Sequence, residues 1–462
     1  MELTIKQICD ITEGKLLCGD ADILIRHLSF DSRDIPGDCL FIPTIGARVD
    51  GHDFIQSAFE KGARATLTAR GTVLDPQRPH IQVADTQKAL EALGRYARSC
   101  FHGPVVGITG SVGKTTTREL VKAALSAGGS VTGTMKNMNS QIGTPVVLYH
   151  MDHQAERAVM EMGISAFGEM KDLIDLVHPT LAVVTNIGVA HIEYLGSREG
   201  ICEEKMHIAD ELGPEAWTIL NGDEPLLKAY QEKLPCRVLC YGLGEENDLT
   251  ARDIEEGAGV RFTAVFHSSL TPYMEIPVDL MIPGVHNVMN ALAALGAAWA
   301  LGIDPKQAAL AMGMFEGFAR RLERVKIGGL QVIDDSYNAS PPSMKAALAV
   351  LEKAEGKRKI ALLADMLEMG EEAPALHREV GEYAAPLDID FYITLGELVR
   401  NLEEPLLAAG RHVIHCGSRE EAAAKVHELA EKGDVLLLKG SNSMGLDKIL
   451  AAIKDDDQWK EF

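Results

Sequence analysis

One stretch limits the folds open to this chain more than any other: Val105-Val106-Gly107-Ile108-Thr109-Gly110-Ser111-Val112-Gly113-Lys114-Thr115-Thr116-Thr117. Val105 to Ile108 is an apolar run of the kind that forms a buried strand, and the threonines open a helix predicted from Thr115 to about Ser126. Between them, a glycine-bearing turn aims backbone N–H groups and a helix N-terminus at one point, which suits a chain of phosphates. Lys114 is placed to neutralise the outer phosphates, and the Thr115 hydroxyl to hold Mg²⁺. The pattern here is Gly110-x-x-Gly113-Lys114-Thr115, with Ile108 where the strict phosphate-loop pattern has its first glycine. The competing reading is a tight strand-to-helix turn whose lysine is incidental. Either way, a strand feeding directly into a helix calls for an α/β architecture.

At 462 residues the chain is too long for one core, and two to four domains are expected. Its 45 basic and 67 acidic residues leave a net charge of −22, which argues against non-specific binding to nucleic acid or anionic membranes. An anionic substrate must therefore be met by local positive charge. The start, Met1 to Lys6, has an early acid and no apolar core, and Val288 to Ile303 is too short to span a bilayer and contains Asn290. The eight cysteines are scattered, and Cys236 and Cys240 lack the partners of a zinc site, so reduced thiols and a cytoplasmic location are expected.

Three units are predicted, over 1–85, 86–318 and 319–462. In the first, Leu3–Cys9 reads as a short helix, Ile23–Phe30 as extended, and Cys39–Ile42 as a strand after the turn Pro36-Gly37-Asp38. Ser32-Arg33 can offer a guanidinium fork to a diphosphate. The loop Asp50-Gly51-His52 precedes a helix over Phe54–Lys61. Turn chemistry alone explains both segments, and the residues by themselves slightly favour that reading. A helix over Thr86–Cys100 leads into the strand at Val105.

In the middle unit, the polar loop Lys136 to Pro145, with Asn137, lies within reach of phosphate or substrate. The strand Arg157–Gly163 carries Glu161 towards its carboxyl end, where ligand-handling residues of open sheets sit. Leu181–Thr185 is a strand followed by Asn186 and His191, so Glu161 and His191 can face one metal near the phosphates. A loop histidine with no ligand role fits as well. Ser197 reads as a helix cap, and Lys205, between acids in Glu203-Glu204-Lys205, reads as a solvated helix face. Glu245–Glu275 reads as exposed strands, an excursion from the core. Asn287 is predicted to cap an alanine-rich helix over Ala291–Leu301, with His286 or Asn290 facing a base.

Phe318-Ala319-Arg320-Arg321-Leu322-Glu323 reads as a hinge. Beyond it, strands at Leu330–Asp334, Lys359–Ala364, Phe391–Leu395, Val413–His415 and Val435–Lys439 alternate with helices, which predicts a parallel, Rossmann-like sheet without the dinucleotide fingerprint. The acidic end, Asp455 to Asp457, is expected to fray. There is no internal repeat.

Thr109-Gly110-x-x-Gly113-Lys114-Thr115-Thr116, Glu161-Met162-Gly163, Thr185-Asn186-Ile187-Gly188-x-Ala190-His191, Asn221-x-Asp223, Gly284-x-His286-Asn287-x-x-Asn290 and Arg321 together resemble the Mur ligase family, nearly end to end. Asp335-Ser336-Tyr337-Asn338-Ala339 and Asp365-Met366-Leu367-Glu368-Met369-Gly370 are similar to the branch that adds D-alanyl-D-alanine to UDP-N-acetylmuramoyl-tripeptide. Arg320, Ala364 and Ser340 stand where glycine, glycine and asparagine are common in the family. The resemblance implies a small α/β N-terminal domain for the UDP-sugar, a central ATPase-like parallel sheet and a C-terminal Rossmann-like domain for the dipeptide. It implies an ADP-forming ligase acting through an acyl phosphate, with two Mg²⁺ ions. ATP would lie against Thr109, Gly110, Ser111, Val112, Gly113, Lys114, Thr115, Thr116, Asn137, His286, Asn287, Asn290, Arg321 and Asp335. Thr115, Glu161, His191 and a carbamylated Lys205 would hold metal, and Lys114 and Arg321 would stabilise the transferring phosphoryl group. Ser32, Arg33, Asp50, Gly51 and His52 would hold the UDP-sugar, and Asn338, Leu367 and Glu368 the dipeptide. A monomer is expected. Another Mur-type or folylpolyglutamate-type amide ligase is the nearest alternative, and a switch ATPase a more distant one.

Overall fold

The computed structural model describes residues 1–46, 49–268, 270–456 and 459. Its centre is a nine-stranded sheet. From one edge the strands run Met274–Leu280, Val260–Phe266, Leu249–Glu256, Arg237–Tyr241, Trp217–Asn221, Leu181–Val184, Val105–Thr109, Arg157–Glu161 and Val131–Gly133. The strands from Leu249–Glu256 to Val131–Gly133 pair in parallel, and the outer two are antiparallel. Val105–Thr109 is buried at all five positions because helices cover both faces, as parallel sheets require. Lys114–Ser126 and Val285–Ala300 pack on one face. Ala291, Ala293, Ala294, Ala297 and Ala298 are fully buried there, small enough to bring the long helix close to the sheet. Met170, Leu173 and Ile174, from the helix Glu169–Val177, pack on the other face.

The first unit holds a five-stranded sheet in the order Lys15–Cys18, His80–Gln82, Ala65–Thr68, Cys39–Phe41, His27–Ser29. The predicted helix at Leu3 begins two residues later, at Ile5. Leu3 and Thr4 instead pair with Ile25 and Leu24, and Thr4 closes a capping box with Gln7. The helix Thr86–Ser99 packs against helices of both the first and the middle units, so it ties them together.

The third sheet runs Glu323–Ile327, Leu330–Asp335, Val435–Lys439, Lys359–Ala364, Phe391–Leu395, His412–Cys416. All pair in parallel except Glu323–Ile327, an antiparallel edge strand that the alternating strand–helix pattern does not reveal. The segment after Glu245 also differs from expectation. Its three strands extend the central sheet and bury Phe262, Phe266, Ile276 and Leu280, so they belong to the core. Their alternation of apolar and polar residues marks one covered face and one wet face. Asp455 ends the last helix, and Asp457 lies outside the described residues. Among the described residues all eight cysteines are free, and no helix is long and apolar enough to cross a membrane.

Candidate active site

The strand Val105–Thr109 lies between Leu181–Val184 and Arg157–Glu161, and its carboxyl end opens into a cavity of about 500 Å³. Ser111 to Thr116, Asn137, Glu161, His191, His286, Asn287 and Asn290 line it from the middle unit. Arg321, Asp335, Tyr337, Asn338 and Lys439 line it from the third. Ile282, Met289, Phe315 and Phe318 add an apolar wall.

The phosphate-loop shape is enforced locally. Gly110 (φ 147°) and Gly113 (φ 82°) occupy backbone conformations that suit glycine. A Cβ at Gly110 would collide with the Thr185 hydroxyl, and one at Gly113 would lie 2.8 Å from Asn290 Oδ1. Asn186 fastens the loop from the neighbouring strand end. Its Oδ1 accepts the Val112 N–H at 2.9 Å, and its carbonyl accepts the Ser111 N–H at 3.0 Å. The helix then starts at Lys114, leaving its first amides without intrahelical acceptors. Thr109, buried with its hydroxyl unpartnered among the described residues, and Gly110 sit beneath the loop and do not line the cavity.

Lys114 Nζ donates to the Gly110 carbonyl at 2.8 Å, so the ammonium folds back over the loop. Burial lowers its pKa, Glu161 opposes this and Arg321 adds to it. Glu161 is almost completely buried. It accepts from Thr115 Oγ1 at 3.3 Å, Asn139 Nδ2 at 2.7 Å and Arg118 Nη1 at 3.0 Å. His191, in the left-handed region at φ 62°, brings Nδ1 to 3.0 Å from Glu368 Oε2 without hydrogen-bond geometry. Burial lowers the His191 pKa, against the Glu368 carboxylate and with the help of Lys114 and Lys205.

Lys205 is not on a solvated face. It is 1% exposed, and its ammonium makes no hydrogen bond or ion pair among the described residues. Burial pushes its pKa well below the ordinary lysine value, Lys114 adds to the shift and Glu204 opposes it. Asn287 does not cap the alanine-rich helix, which starts at Val285 with Gly284 at the cap. Asn287 lies inside the helix and donates to the Pro283 carbonyl at 2.7 Å. A chain of hydrogen bonds links Thr117 to Asn290 at 3.0 Å and Asn290 to Asn287 at 2.9 Å.

The third unit reaches across the cavity. Arg321 Nη2 donates to Thr115 Oγ1 at 3.1 Å, and its guanidinium lies 4.1 Å from the Tyr337 ring centroid. Arg320 adopts φ 65°, the conformation that explains why glycine suits this position. Its side chain anchors the bend by donating to Ser336 Oγ at 3.1 Å, the Ser336 carbonyl at 2.8 Å and Asn442 Oδ1 at 2.9 Å.

The residues predicted in the first unit lie outside this cavity. Arg33 is mostly exposed and forks onto Asp31. Asp50 accepts the His52 N–H at 2.9 Å and also binds its Nδ1 at 2.7 Å. Buried His52 in turn accepts the Ala69 N–H at Nε2 at 2.9 Å. Gly51 sits between them, and Lys61 Nζ donates to the Ser32 carbonyl. Leu367 also lies off the cavity, its N–H donating to Ser441 Oγ at 2.9 Å. Arg118, Asn139, Tyr337 and Lys439 are not among the predicted site residues. Asn139 carries a signal in the polar loop after the phosphate loop, and Tyr337 and Lys439 carry one in their place at strand ends, whereas Arg118, inside a helix, carries none.

Three family models match the chain: Mur ligase family, catalytic domain, over 24–98; Mur ligase middle domain, over 108–298; and Mur ligase, glutamate ligase domain, over 320–442. A UDP-N-acetylmuramoyl-tripeptide–D-alanyl-D-alanine ligase of Bacillus subtilis (strain 168) is 38% identical over 457 residues, 97% of each chain. The chain belongs to the Mur ligase family. The ligase of the same name from Escherichia coli (strain K12) is 31% identical over 99% of each chain. Among solved Mur ligases, MurF from Acinetobacter baumannii superposes with a TM-score of 0.86 at 27% identity, covering 99% of both chains. MurF from Thermotoga maritima in complex with ADP gives 0.76 at 28% identity, over 93% of this chain and 97% of that one. The mixed α/β architecture with several parallel sheets is therefore that of a three-domain Mur ligase, an ATP-dependent ligase family.

Proposed function

We propose that this ligase joins D-alanyl-D-alanine to UDP-N-acetylmuramoyl-tripeptide with conversion of ATP to ADP and phosphate. The observation that carries the reading is the meeting of Arg321, from the third unit, with Thr115 of the phosphate loop across one cavity. Such a split site fits three substrates that must be brought together. The tripeptide carboxylate attacks the γ-phosphorus, the bond to the β-phosphate oxygen breaks, and ADP leaves an acyl phosphate. The dipeptide amine then attacks the carbonyl carbon, loses a proton, and expels phosphate as the amide forms. Charge gathers on phosphoryl oxygens in both steps, so fixed positive groups are the main catalytic resource. Lys114 and Arg321 supply them locally, within a chain that is strongly acidic as a whole.

Thr115 and Glu161, already in contact, suit one Mg²⁺ as hard oxygen donors. His191 and a carbamate on Lys205 would hold a second. Bound Mg²⁺ neutralises charge developing on the phosphoryl oxygens. Burial without a carboxylate partner favours the neutral amine of Lys205, the form that adds CO₂ with loss of a proton. Asn287, Asn290 and His286, beside the apolar wall, offer a purine site. Unit 1–85 receives the UDP-sugar, and Arg33, mostly exposed although paired with Asp31, offers a guanidinium to a diphosphate. Unit 86–318 holds ATP, and unit 319–462, with Asn338, Leu367 and Glu368, receives the dipeptide. A cytoplasmic monomer is consistent with these soluble substrates.

ADP release against a panel of UDP-muramoyl peptides and dipeptides tests the proposal. Release is expected only when both the tripeptide nucleotide and D-alanyl-D-alanine are present. Rapid ADP release with neither favours a switch ATPase, and glutamate as the preferred amine donor favours a folylpolyglutamate-type ligase.

A further inference from the structure

Lys439 ends the strand Val435–Lys439 at the carboxyl edge of the third sheet, and it is only 1% exposed. A charge this deep is tolerated only where neighbours take up its hydrogens. Its Nζ lies 2.6 Å from Asp335 Oδ2 and donates to the Asn338 carbonyl at 2.9 Å and the Asp335 carbonyl at 3.5 Å. All three acceptors belong to one short loop, residues 335–338. The loop in turn controls what faces the phosphates. Asp335 Oδ1 accepts the Leu322 N–H at 3.3 Å, and the Tyr337 N–H donates to the Arg320 carbonyl at 3.2 Å. The Tyr337 ring carries the Arg321 guanidinium, which reaches Thr115.

We propose that Lys439 is a positioning residue, which sets the 335–338 loop and through it holds Arg321 and Asp335 against the nucleotide. Three directions of donation are turned to one loop, so the ammonium acts through that loop and not on a ligand. The proposal rests on the reading that Arg321 and Asp335 meet ATP. It is specific in direction: nucleotide affinity depends on Lys439, and affinity for the UDP-muramoyl peptide does not.

The test measures binding of a non-hydrolysable ATP analogue by calorimetry, and KM for each substrate, in the full chain. Lys439→Met, Asp335→Asn, the double variant and Arg321→Ala are compared, with thermal melts as the folding control. Lys439→Met is expected to weaken analogue binding roughly 10- to 100-fold, the loss that follows when a buried charge partner is removed. KM for the UDP-muramoyl peptide should stay within about twofold. The double variant should be no weaker than the weaker single variant, because the two groups act as a unit. Lys439→Gln, which keeps two N–H donors, should recover part of the affinity, and it carries the test if the Met variant does not fold. Unchanged analogue binding in a folded Lys439→Met or Lys439→Gln, while Asp335→Asn binds weakly, overturns the proposal. So do additive losses in the double variant. If neither Asp335→Asn nor Arg321→Ala weakens binding, the nucleotide reading itself falls and the proposal with it; Arg321→Ala, at a residue that does not touch Lys439, tells that outcome apart from failure of the positioning role alone.

Discussion

Under the proposed carbamate role Lys205 would set stability against function, because its amine is buried where folding alone would place an apolar group. Its burial, its lack of a paired carboxylate among the described residues and its lowered pKa all say that the native state resists the charged form. The unfolded chain carries this amine protonated at neutral pH, near its ordinary pKa of about 10.4. Between the lowered native value and the unfolded one, the unfolded state binds more protons, so stability rises with pH across that window. Lys205→Met keeps the stem and removes the amine. Replacing buried charges with apolar residues of similar volume stabilises other proteins by roughly 1–4 kcal/mol. For a unit of this size that amounts to about 2–4 °C in Tm for each kcal/mol. The Met variant should therefore melt several degrees above the parent at pH 7 in CO₂-free, Mg²⁺-free buffer, and the gap should narrow by pH 9. The same variant should lose ligation almost completely in an ADP-release assay. Lys205→Ala should be equally inactive and partly restored by acetate, which can fill the vacated oxygen-ligand position. Lys205→Arg, unable to form a carbamate, should be inactive. A Met variant that melts below the parent at pH 7 would refute the burial argument. An active Arg variant, or no rescue by any short carboxylic acid, would refute the carbamate.

Lys114→Ala should fold normally and lose ligation by at least roughly 10²-fold, the scale of one lost phosphoryl contact, as measured by product formation beside a circular dichroism spectrum. His150 has its pKa lowered to about 4, mainly by burial with His27 adding, and its neutral Nε2 accepts the Leu28 N–H at 3.1 Å. Below the unfolded pKa of about 6.5 the unfolded state takes a proton that the native state refuses, so stability falls as pH drops from there towards 4, by roughly 3 kcal/mol. His150→Asn should flatten that part of the acid-melting curve, and an unaltered curve would show that another group controls it. Small-angle scattering should show the protein becoming more compact when an ATP analogue and the UDP-muramoyl peptide are added, towards the docked arrangement in which Arg321 meets Thr115. An unchanged profile would mean that the docked form already prevails without ligand.

Much of the fold is legible in the sequence. The apolar run at Val105, its glycines and Lys114-Thr115 specify a strand, a left-handed turn and a helix within thirteen residues, all through local backbone preference. The alternation beyond Leu330 likewise specifies a parallel sheet, and the structure places its strands within a residue or two of expectation. The motifs at Glu161, His191, Asn290, Arg321 and Asp335 all reach one cavity. The failures share a cause. Lys205 reads as solvated because acids flank it in sequence, whereas its burial depends on what the other elements pack over it. The strands after Glu245 read as an excursion because their partners, and hence their covered face, lie outside the local pattern.

The sequence by itself therefore determined most of the elements and the phosphate loop, and brought Glu161, His191, Asn290, Arg321 and Asp335 to one cavity, since these follow from φ preferences, periodicity and residue chemistry at short range. Only the tertiary structure decided which charges are buried and whom they pair with. Arg118 and Asn139 converge on Glu161, and Lys439 grips a loop that lies 101 residues away in the chain at Asn338. Desolvation and pairing depend on distance in space, and no local pattern encodes which two distant segments will meet.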